Sequence, residues 1–422
     1  MKLLYNIFIL LYLSSIKAAS LFNGKAKQWV DGRKDILSRI KDEQLSDKQI
    51  IWVHCASLGE FEQARPVIEK LKATYPDHSI FLTFFSPSGY EIRKNYELAD
   101  YIYYLPIDTR KNARQFINYV NPKLVVFIKY EFWFNYIDEL YRNKIPQIFV
   151  SVIFRPSQHF FSAWGGWYAR QLNKLTYIFV QNEESIELLD SIGIHHAQVS
   201  GDTRFDRVIQ LPDDPTTFPI IENFKGSSRL LMAGSTWQPG EKILFDLLHK
   251  SEVDIKLVIA PHLINKEHIT DLVSRFQDFN PVLYSQVSEY EGSKQKSKME
   301  QSKVMIIDSI GMLSQLYRYA DIAYIGGGFG VGIHNLLEAS TYGIPVLYGP
   351  NYKRFREAVE LRDNRGGFPI NNSDEFSEIF QMLMRDKHEY QKSASVARQY
   401  VINNAGATEL VINKVKEYIV AR

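Results

Sequence analysis

Eleven short apolar runs, rich in β-branched and aromatic residues, recur along this chain with amphipathic stretches between them. Six come first, at Ile50–Val53, Ile80–Phe85, Tyr101–Leu105, Leu124–Ile128, Ile148–Val152 and Tyr177–Val180. Five follow, at Leu230–Ala233, Ile255–Ile259, Val304–Ile307, Ile322–Ile325 and Pro345–Leu347. Strands that alternate with helices pair in parallel through helical crossovers, so the expected fold class is α/β with doubly wound sheets. Between the two series lies Leu211-Pro-Asp-Asp-Pro-Thr-Thr-Phe-Pro219. Its prolines lack the amide that a helix or a ladder needs, and the stretch reads as a linker. The expected organisation is a Rossmann-like domain over residues 23–210, a linker over 211–220 and a second Rossmann-like domain over 221–422, facing the first across a cleft. A length of 422 residues and a hydrophobic content of 45% allow two packed cores.

Charge is nearly balanced, with 50 basic against 48 acidic residues. The basic residues are scattered, so no nucleic-acid partner is expected. Cys55 is the single cysteine, which excludes an intramolecular disulfide and leaves no sign of a metal or other cofactor. Residues 285–303, rich in Ser, Lys, Gln and Glu, read as a solvated surface loop.

The N-terminus is apolar. Fourteen uncharged residues lie between Lys2 and Lys17. As a helix they reach about 21 Å, short of the ~30 Å hydrocarbon core. A cleaved signal peptide, a short span and an interfacial helix all fit this length. Lys17, Lys25, Lys27, Arg33 and Lys34 follow it, as on a cytoplasmic flank. Residues 1–22 are therefore expected to be a retained membrane anchor, with the rest of the chain on the cytoplasmic side.

Three kinds of strand-end loop carry candidate chemistry. After the first run, Ala56-Ser-Leu-Gly-Glu60 turns into a helix marked by Phe61, Ala64, Val67, Ile68 and Leu71. A carboxylate there sits where open α/β sheets bind ligands, and Glu60 is placed to act as a base. Complementing the helix dipole is the alternative role. In the second series, Tyr324-Ile-Gly-Gly-Gly-Phe-Gly-Val-Gly-Ile-His-Asn-Leu-Leu-Glu338 puts Gly326, Gly327 and Gly328 at a strand end, with a helix expected from His334. Such glycines let a backbone approach a phosphate closely, and Glu338 suits the hydroxyls of a ribose. The spacing is neither a Walker loop nor a dinucleotide fingerprint. Ala233-Gly-Ser-Thr236 and Ala260-Pro-His262 end two more strands of that half. In the first half, Lys129-Tyr-Glu-Phe-Trp133 ends a strand, and Gly201-Asp-Thr-Arg-Phe-Asp206 precedes the linker. Arg204 suits either a phosphate or an ion pair with Asp202 or Asp206.

Together these segments resemble the Kdo (3-deoxy-D-manno-octulosonic acid) transferases of lipopolysaccharide and lipid A synthesis. The resemblance rests on His54-Cys-Ala-Ser-Leu-Gly-Glu-Phe-Glu62, Lys129–Trp133, Gly201–Asp206, Ala233–Thr236, Ala260–His262, Gly326–Glu338 and Gly343-Ile-Pro-Val-Leu-Tyr-Gly-Pro350, in order along nearly the whole chain. It implies a GT-B-type glycosyltransferase, with the acceptor on the N-terminal half and the nucleotide on the C-terminal half. It implies inverting, metal-independent transfer of Kdo from CMP-Kdo to a lipid A precursor, lipid IVA, at the cytoplasmic face of the inner membrane. By resemblance Glu60 is the general base, and Lys129 and Arg204 fall where the family stabilises the transition state. Pro261 and His262, Gly311, Met312 and Leu313, and Asn335, Leu336, Leu337 and Glu338 fall on the CMP contacts. The chain departs from the better-known members at His262 (often Arg), Lys129 (often an acid) and Met312 (often Glu), and its glycine-rich loop lacks an Arg often found there.

Overall fold

A computed structural model describes residues 1–250, 254–288 and 292–419. The chain forms two compact units: Met1–Arg207 with the segment from Asn404 onward, and Val208–Asn403.

The first unit carries β1 (Ile50–Cys55), β2 (Ser79–Phe84), β3 (Tyr101–Tyr104), β4 (Leu124–Ile128), β5 (Gln147–Val152), β6 (Tyr177–Val180) and β7 (Ala197–Val199). They form one parallel sheet in the order β3-β2-β1-β4-β5-β6-β7. Alternate residues of the central strands serve the two faces. Trp52, Val125 and Phe127 face one core; Ile51, Val53, Val126 and Ile128 face the other, against Phe61, Ala64 and Val67 of the helix Leu58–Thr74. Strands buried on both faces read as continuous apolar runs, which is why all eleven runs prove to be strands.

The second unit holds β8 (Arg229–Thr236), β9 (Ile255–Pro261), β10 (Val282–Leu283), β11 (Val304–Ile306), β12 (Ile322–Ile325), β13 (Val346–Tyr348) and β14 (Gly367–Pro369). Its sheet is also parallel, in the order β10-β11-β9-β8-β12-β13-β14. Strand order reverses between β1 and β4 in one sheet and between β8 and β12 in the other. Those reversals are where doubly wound sheets open a crevice beyond their strand ends.

Three expectations need correction. The C-terminal residues leave the second unit: the helix Ala407–Ile419 packs Val411, Ile412 and Val415 into the core of the first. Asp206 caps that helix, accepting from the Thr408 amide and hydroxyl, each at 2.7 Å. The 211–220 stretch belongs to the second unit, held where Arg318 donates to the carbonyls of Leu211, Asp214 and Thr216. Residues 285–303 are largely helical rather than a loop, with helices Tyr284–Ser288 and Gly292–Gln301; residues 289–291 lie outside the described residues.

The apolar N-terminus forms the helix Lys2–Ala19, docked on the first unit by its more polar side. Lys2 pairs with Asp138, Tyr5 donates to Asp108, and Asn6 accepts from Asn135 at 2.9 Å. Ile9 is buried against Trp29 and Ile107. Leu3, Leu4, Ile7, Phe8, Leu10 and Leu11 point outward and are exposed.

Candidate active site

In the first unit, β1 runs straight into the helix Leu58–Thr74, with Ser57 at its N-cap and Glu60 in its first turn. The Ser57 hydroxyl donates to the Glu60 carboxylate and accepts from no backbone amide of the helix, and Glu60 keeps part of its surface open. Beneath it a buried relay crosses the sheet. The Trp52 indole N–H donates to Thr83 Oγ1 at 2.7 Å, and Thr83 Oγ1 meets His54 Nδ1 at 2.8 Å. His54 Nε2 faces Glu131 at 3.1 Å, where Trp133 Nε1 also donates at 2.7 Å. With its proton on Nε2, His54 donates to Glu131 and accepts from Thr83 at Nδ1; Trp133 Nε1 also lies 3.3 Å from that Nε2. Glu131 is thereby held by two donors at the end of β4.

Lys129 leaves β4 with a φ of 60°, a strained left-handed conformation for a long side chain. Its amide still reaches the Val150 carbonyl at 2.8 Å. Asp202 is buried and accepts from Gln63 at 2.7 Å and from the Arg204 amide and Nε at 2.9 and 2.8 Å. Burial pushes its carboxyl upward, but the charge of Arg204, these hydrogen bonds and the charge of Lys129 outweigh it and hold it below the usual range. Of the two acids beside it, Arg204 pairs with Asp202, while Asp206 caps the C-terminal helix. Arg204 remains 30% exposed. The Tyr130 phenol, raised chiefly by burial, also responds to Arg155, Asp202, Arg204 and Glu60. Glu60 and Arg204 thus act on Tyr130, and Arg204 and Lys129 act on Asp202.

In the second unit, three rings meet at the ends of β8, β9 and β12. Trp237 Nε1 donates to His334 Nε2 at 2.9 Å with the rings 7° from parallel, so the two lie side by side as one flat surface. His262 stacks on both, with centroids 4.7 Å from Trp237 and 4.5 Å from His334, while its amide bonds the Thr236 carbonyl at 3.0 Å. Pro261 is buried at the end of β9 beneath this stack.

The glycine-rich loop is set by backbone packing. A Cβ on Gly326 would lie 2.6 Å from the Ser235 carbonyl carbon and 2.8 Å from the Thr236 Cα; one on Gly328 would lie 2.6 Å from the Gly349 nitrogen. Gly327 has a φ of 87°. The helix expected from His334 begins only at Leu337 and makes a single turn to Ser340. Its first amides are partly taken, since the Asn335 side chain accepts from Leu337 N at 3.1 Å and donates to Glu338 at 3.0 Å. Phosphate recognition by a long helix dipole is therefore not built here. Gly311 has a φ of 97°, and Met312 caps the short helix Leu313–Leu316. Leu313 packs under Gly234 beside Tyr317, whose phenol burial and Glu338 both raise. These segments all lie at the carboxyl edge of the second sheet. Glu241, beyond the Ala-Gly-Ser-Thr turn, is fully buried on the Thr236 hydroxyl at 2.8 Å and His268 at 3.0 Å, a structural role.

A model of the 3-deoxy-D-manno-octulosonic-acid transferase (kdotransferase) family matches residues 32–207, all within the first unit. The 3-deoxy-D-manno-octulosonic acid transferase of Aquifex aeolicus is 27% identical over 84% of this chain and 92% of its own length. This chain is thus similar to the Kdo transferases over most of its length. A bifunctional glycosyltransferase/methyltransferase of Fusobacterium nucleatum is 25% identical over 88% of the chain, which spans 59% of that relative. Among solved structures, a putative UDP-N-acetylglucosamine 2-epimerase from Listeria monocytogenes superposes with a TM-score of 0.62 at 14% identity, covering 89% of this chain and 98% of its own. A glycosyltransferase from Rickettsia africae does so at 0.56 and 14%, covering 88% and 99%. The two parallel-sheet units are thus those of the GT-B fold.

Some features of this Kdo transferase relative escape a reading of its sequence as separate motifs. Trp237 and His334 are 97 positions apart, and neither has a local signal that pairs it with the other. Arg354, after β13, donates to the Val331 carbonyl of the glycine-rich loop and has no carboxylate partner among the described residues. The Gly-Pro turn before it was the only available hint.

The ring cluster also fixes a pH dependence. Burial, then the neighbouring His262, lowers the His334 pKa from 6.5 to about 4. The unfolded chain then binds a proton that folded His334 refuses. The stability this supplies is present above pH 6.5 and is lost as pH falls towards about 4. Trp237 is the only tryptophan of the second unit, so the fluorine signal of 5-fluorotryptophan at that position reports this unit alone. Its melting temperature should fall between pH 7 and pH 5, and His334→Gln should flatten that fall. An unchanged slope in the variant would assign the proton elsewhere.

Proposed function

We propose that the chain transfers Kdo from CMP-Kdo to lipid IVA, with inversion and without a metal. The observation that carries this reading is that the two most informative loops, with Glu60 and with Gly326–Gly328, each leave a strand at the point where its sheet reverses order. An acceptor hydroxyl attacks the anomeric carbon of Kdo and gives its proton to Glu60. The bond from that carbon to the phosphate oxygen breaks, and CMP leaves with the electron pair. Arg204 and Lys129 are the cations proposed to offset the charge that develops as the phosphate departs, and the amides of the glycine-rich loop serve the nucleotide within the second unit. Glu338 receives the ribose hydroxyls. Pro261, His262 and Gly311–Leu313 complete the nucleotide contacts. His262 stacks where an arginine is usual, so at this position the chain offers a ring face rather than a fixed charge.

The N-terminal helix supports a lipid acceptor. In its first three turns Lys2 and Asn6 are turned inward and paired, while Leu3, Leu4, Ile7, Phe8, Leu10 and Leu11 are exposed, the reverse of a helix packed against a protein in water. A helix tied to its unit through Lys2, Tyr5, Asn6 and Ile9 lies on a membrane rather than through it. The inner leaflet facing the cytoplasm is its proposed location.

Sugar-nucleotide epimerases share the fold and leave a rival reading, but such an enzyme has no use for this outward apolar face. One incubation with CMP-Kdo and lipid IVA, with products weighed by mass spectrometry, decides between them. The expected product is lipid IVA heavier by one or more Kdo residues. An unchanged lipid, with turnover of a UDP-sugar instead, would overturn the proposal.

A further inference from the structure

The first unit holds a cavity of about 470 Å³ beside the basic end of the Lys2–Ala19 helix. Its lining includes Lys17, Trp29, Arg33, Lys34, Asp35 and Ser38, three cations against one carboxylate. Lys34 is offset by Asp31, at 2.7 Å. Lys17 and Arg33 have no carboxylate partner among the described residues.

Arg33 is the informative group. Its Nε, Nη1 and Nη2 donate to the carbonyls of Leu105 (2.9 Å), Trp29 (3.1 Å) and Phe85 (2.6 Å). Its guanidinium also lies 3.8 Å from the Trp29 ring centroid and 4.7 Å from that of Tyr104. Carbonyl dipoles and ring faces fix its position but carry no net negative charge. Burial lowers its pKa to about 9, so it stays charged at neutral pH. Removing an ion from water without a counter-charge is costly, and an anion in the cavity relieves that cost.

The neighbourhood says what brings the anion. Lys17 stands six residues beyond Leu11, about 9 Å along the helix from the end of its outward apolar face. Leu21 and Phe22 are exposed just past it, Phe22 by 92%. A bilayer that takes this helix into its interface brings its phosphates beside Lys17. We propose that this cavity binds the phosphate headgroup of a membrane lipid. The aromatic path from Trp29 to Phe85 (5.6 Å) and on to Trp133 (4.7 Å) leads from it to the loop of Glu131. The inference rests on the membrane-facing reading of the helix and not on the transfer reaction.

The test uses the full chain and vesicles of phosphatidylcholine, with and without phosphatidic acid, read by co-sedimentation. Ser38 is exposed and makes no side-chain hydrogen bond among the described residues, and it lies in the first turn of the helix Ile36–Asp42, where an acid is favourable. Ser38→Glu therefore places a negative charge at the cavity without disturbing Arg33. Lys17→Glu reverses a lining charge, and Lys25→Glu makes the same change outside the cavity. The wild type should bind both vesicles, more tightly with phosphatidic acid. Ser38→Glu and Lys17→Glu should each lose about tenfold of that gain, and Lys25→Glu no more than about threefold. All three variants should keep the wild-type melting temperature.

Equal losses in all three variants would mean diffuse surface attraction and would overturn the site. So would an unchanged gain in Ser38→Glu, or a wild type that ignores phosphatidic acid. Soluble glycerol 3-phosphate, titrated by calorimetry, should bind far more weakly than the vesicles. If it bound as tightly, the site would serve a free phosphate and the lipid assignment would fall. Because no arm measures transfer, failure of the lipid site and failure of the proposed reaction are read separately.

Discussion

Glu60→Gln should remove transfer and leave CMP binding intact. The amide matches the carboxylate in size, and its oxygen still accepts from the Ser57 hydroxyl, so the start of the helix Leu58–Thr74 is kept. What is lost is the ability to take the acceptor's proton. Removing a general base costs about 10²- to 10⁴-fold in rate. If Glu60 served only to complement the helix dipole, the same change would cost about 0.3–1 kcal/mol of stability and leave turnover near normal. The two readings therefore predict opposite patterns in kcat and in melting temperature. The measurement is initial rate under saturating donor, with CMP binding followed at Trp237. Near-normal turnover would remove Glu60 from the mechanism, and Glu131, beyond the end of β4, would be the next to substitute.

How far the chain could be read in advance depended on how local each feature is. Central strands are buried on both faces, so each announces itself within four to eight residues. The strands that went unread, β7, β10 and β14, are two or three residues long and sit at sheet edges, where neither length nor burial makes a pattern. The C-terminal helix had a readable apolar stripe, but nothing in it names Asp206, some 200 positions earlier, as its cap. Arg204 was ambiguous for the same reason. Two acids lie within two residues of it, and only the fold shows that one is buried beneath it while the other turns away. Lys129 was noticed as a charge at a strand end, yet its left-handed backbone is not written in its side chain. The relay from Trp52 through Thr83 and His54 to Glu131 joins two strands and the loop after β4, and no single segment contains it. Fold likeness alone does not settle the chemistry either, since epimerases and transferases share this architecture. The choice rests on the loops and on the outward apolar helix.

Gly326→Ala should be the most disruptive single-methyl change in the second unit. The glycine-rich loop suggests that its small residues let a ligand come close. At Gly326 the space is already filled by the protein itself, because the new Cβ would meet the Ser235 carbonyl and lie 2.8 Å from the Thr236 Cα. These are backbone atoms of β8 with no rotamer to swing away. Relief requires β8 and β12 to part at the point where the sheet reverses. Overpacking of this kind costs about 3 kcal/mol, and in a unit of this size that lowers the melting temperature by roughly 6–12 °C. The Trp237 signal should show the loss, and CMP binding should weaken with it. Gly330 gives the contrast, being exposed, with its nearest neighbour to a Cβ at 3.6 Å. Gly330→Ala should leave the melting temperature unchanged, and any effect on CMP affinity there reports ligand approach alone. If Gly326→Ala melts like the wild type while CMP binding falls, the close packing of β8 on β12 is not what selects glycine at this position, and approach of the phosphate is.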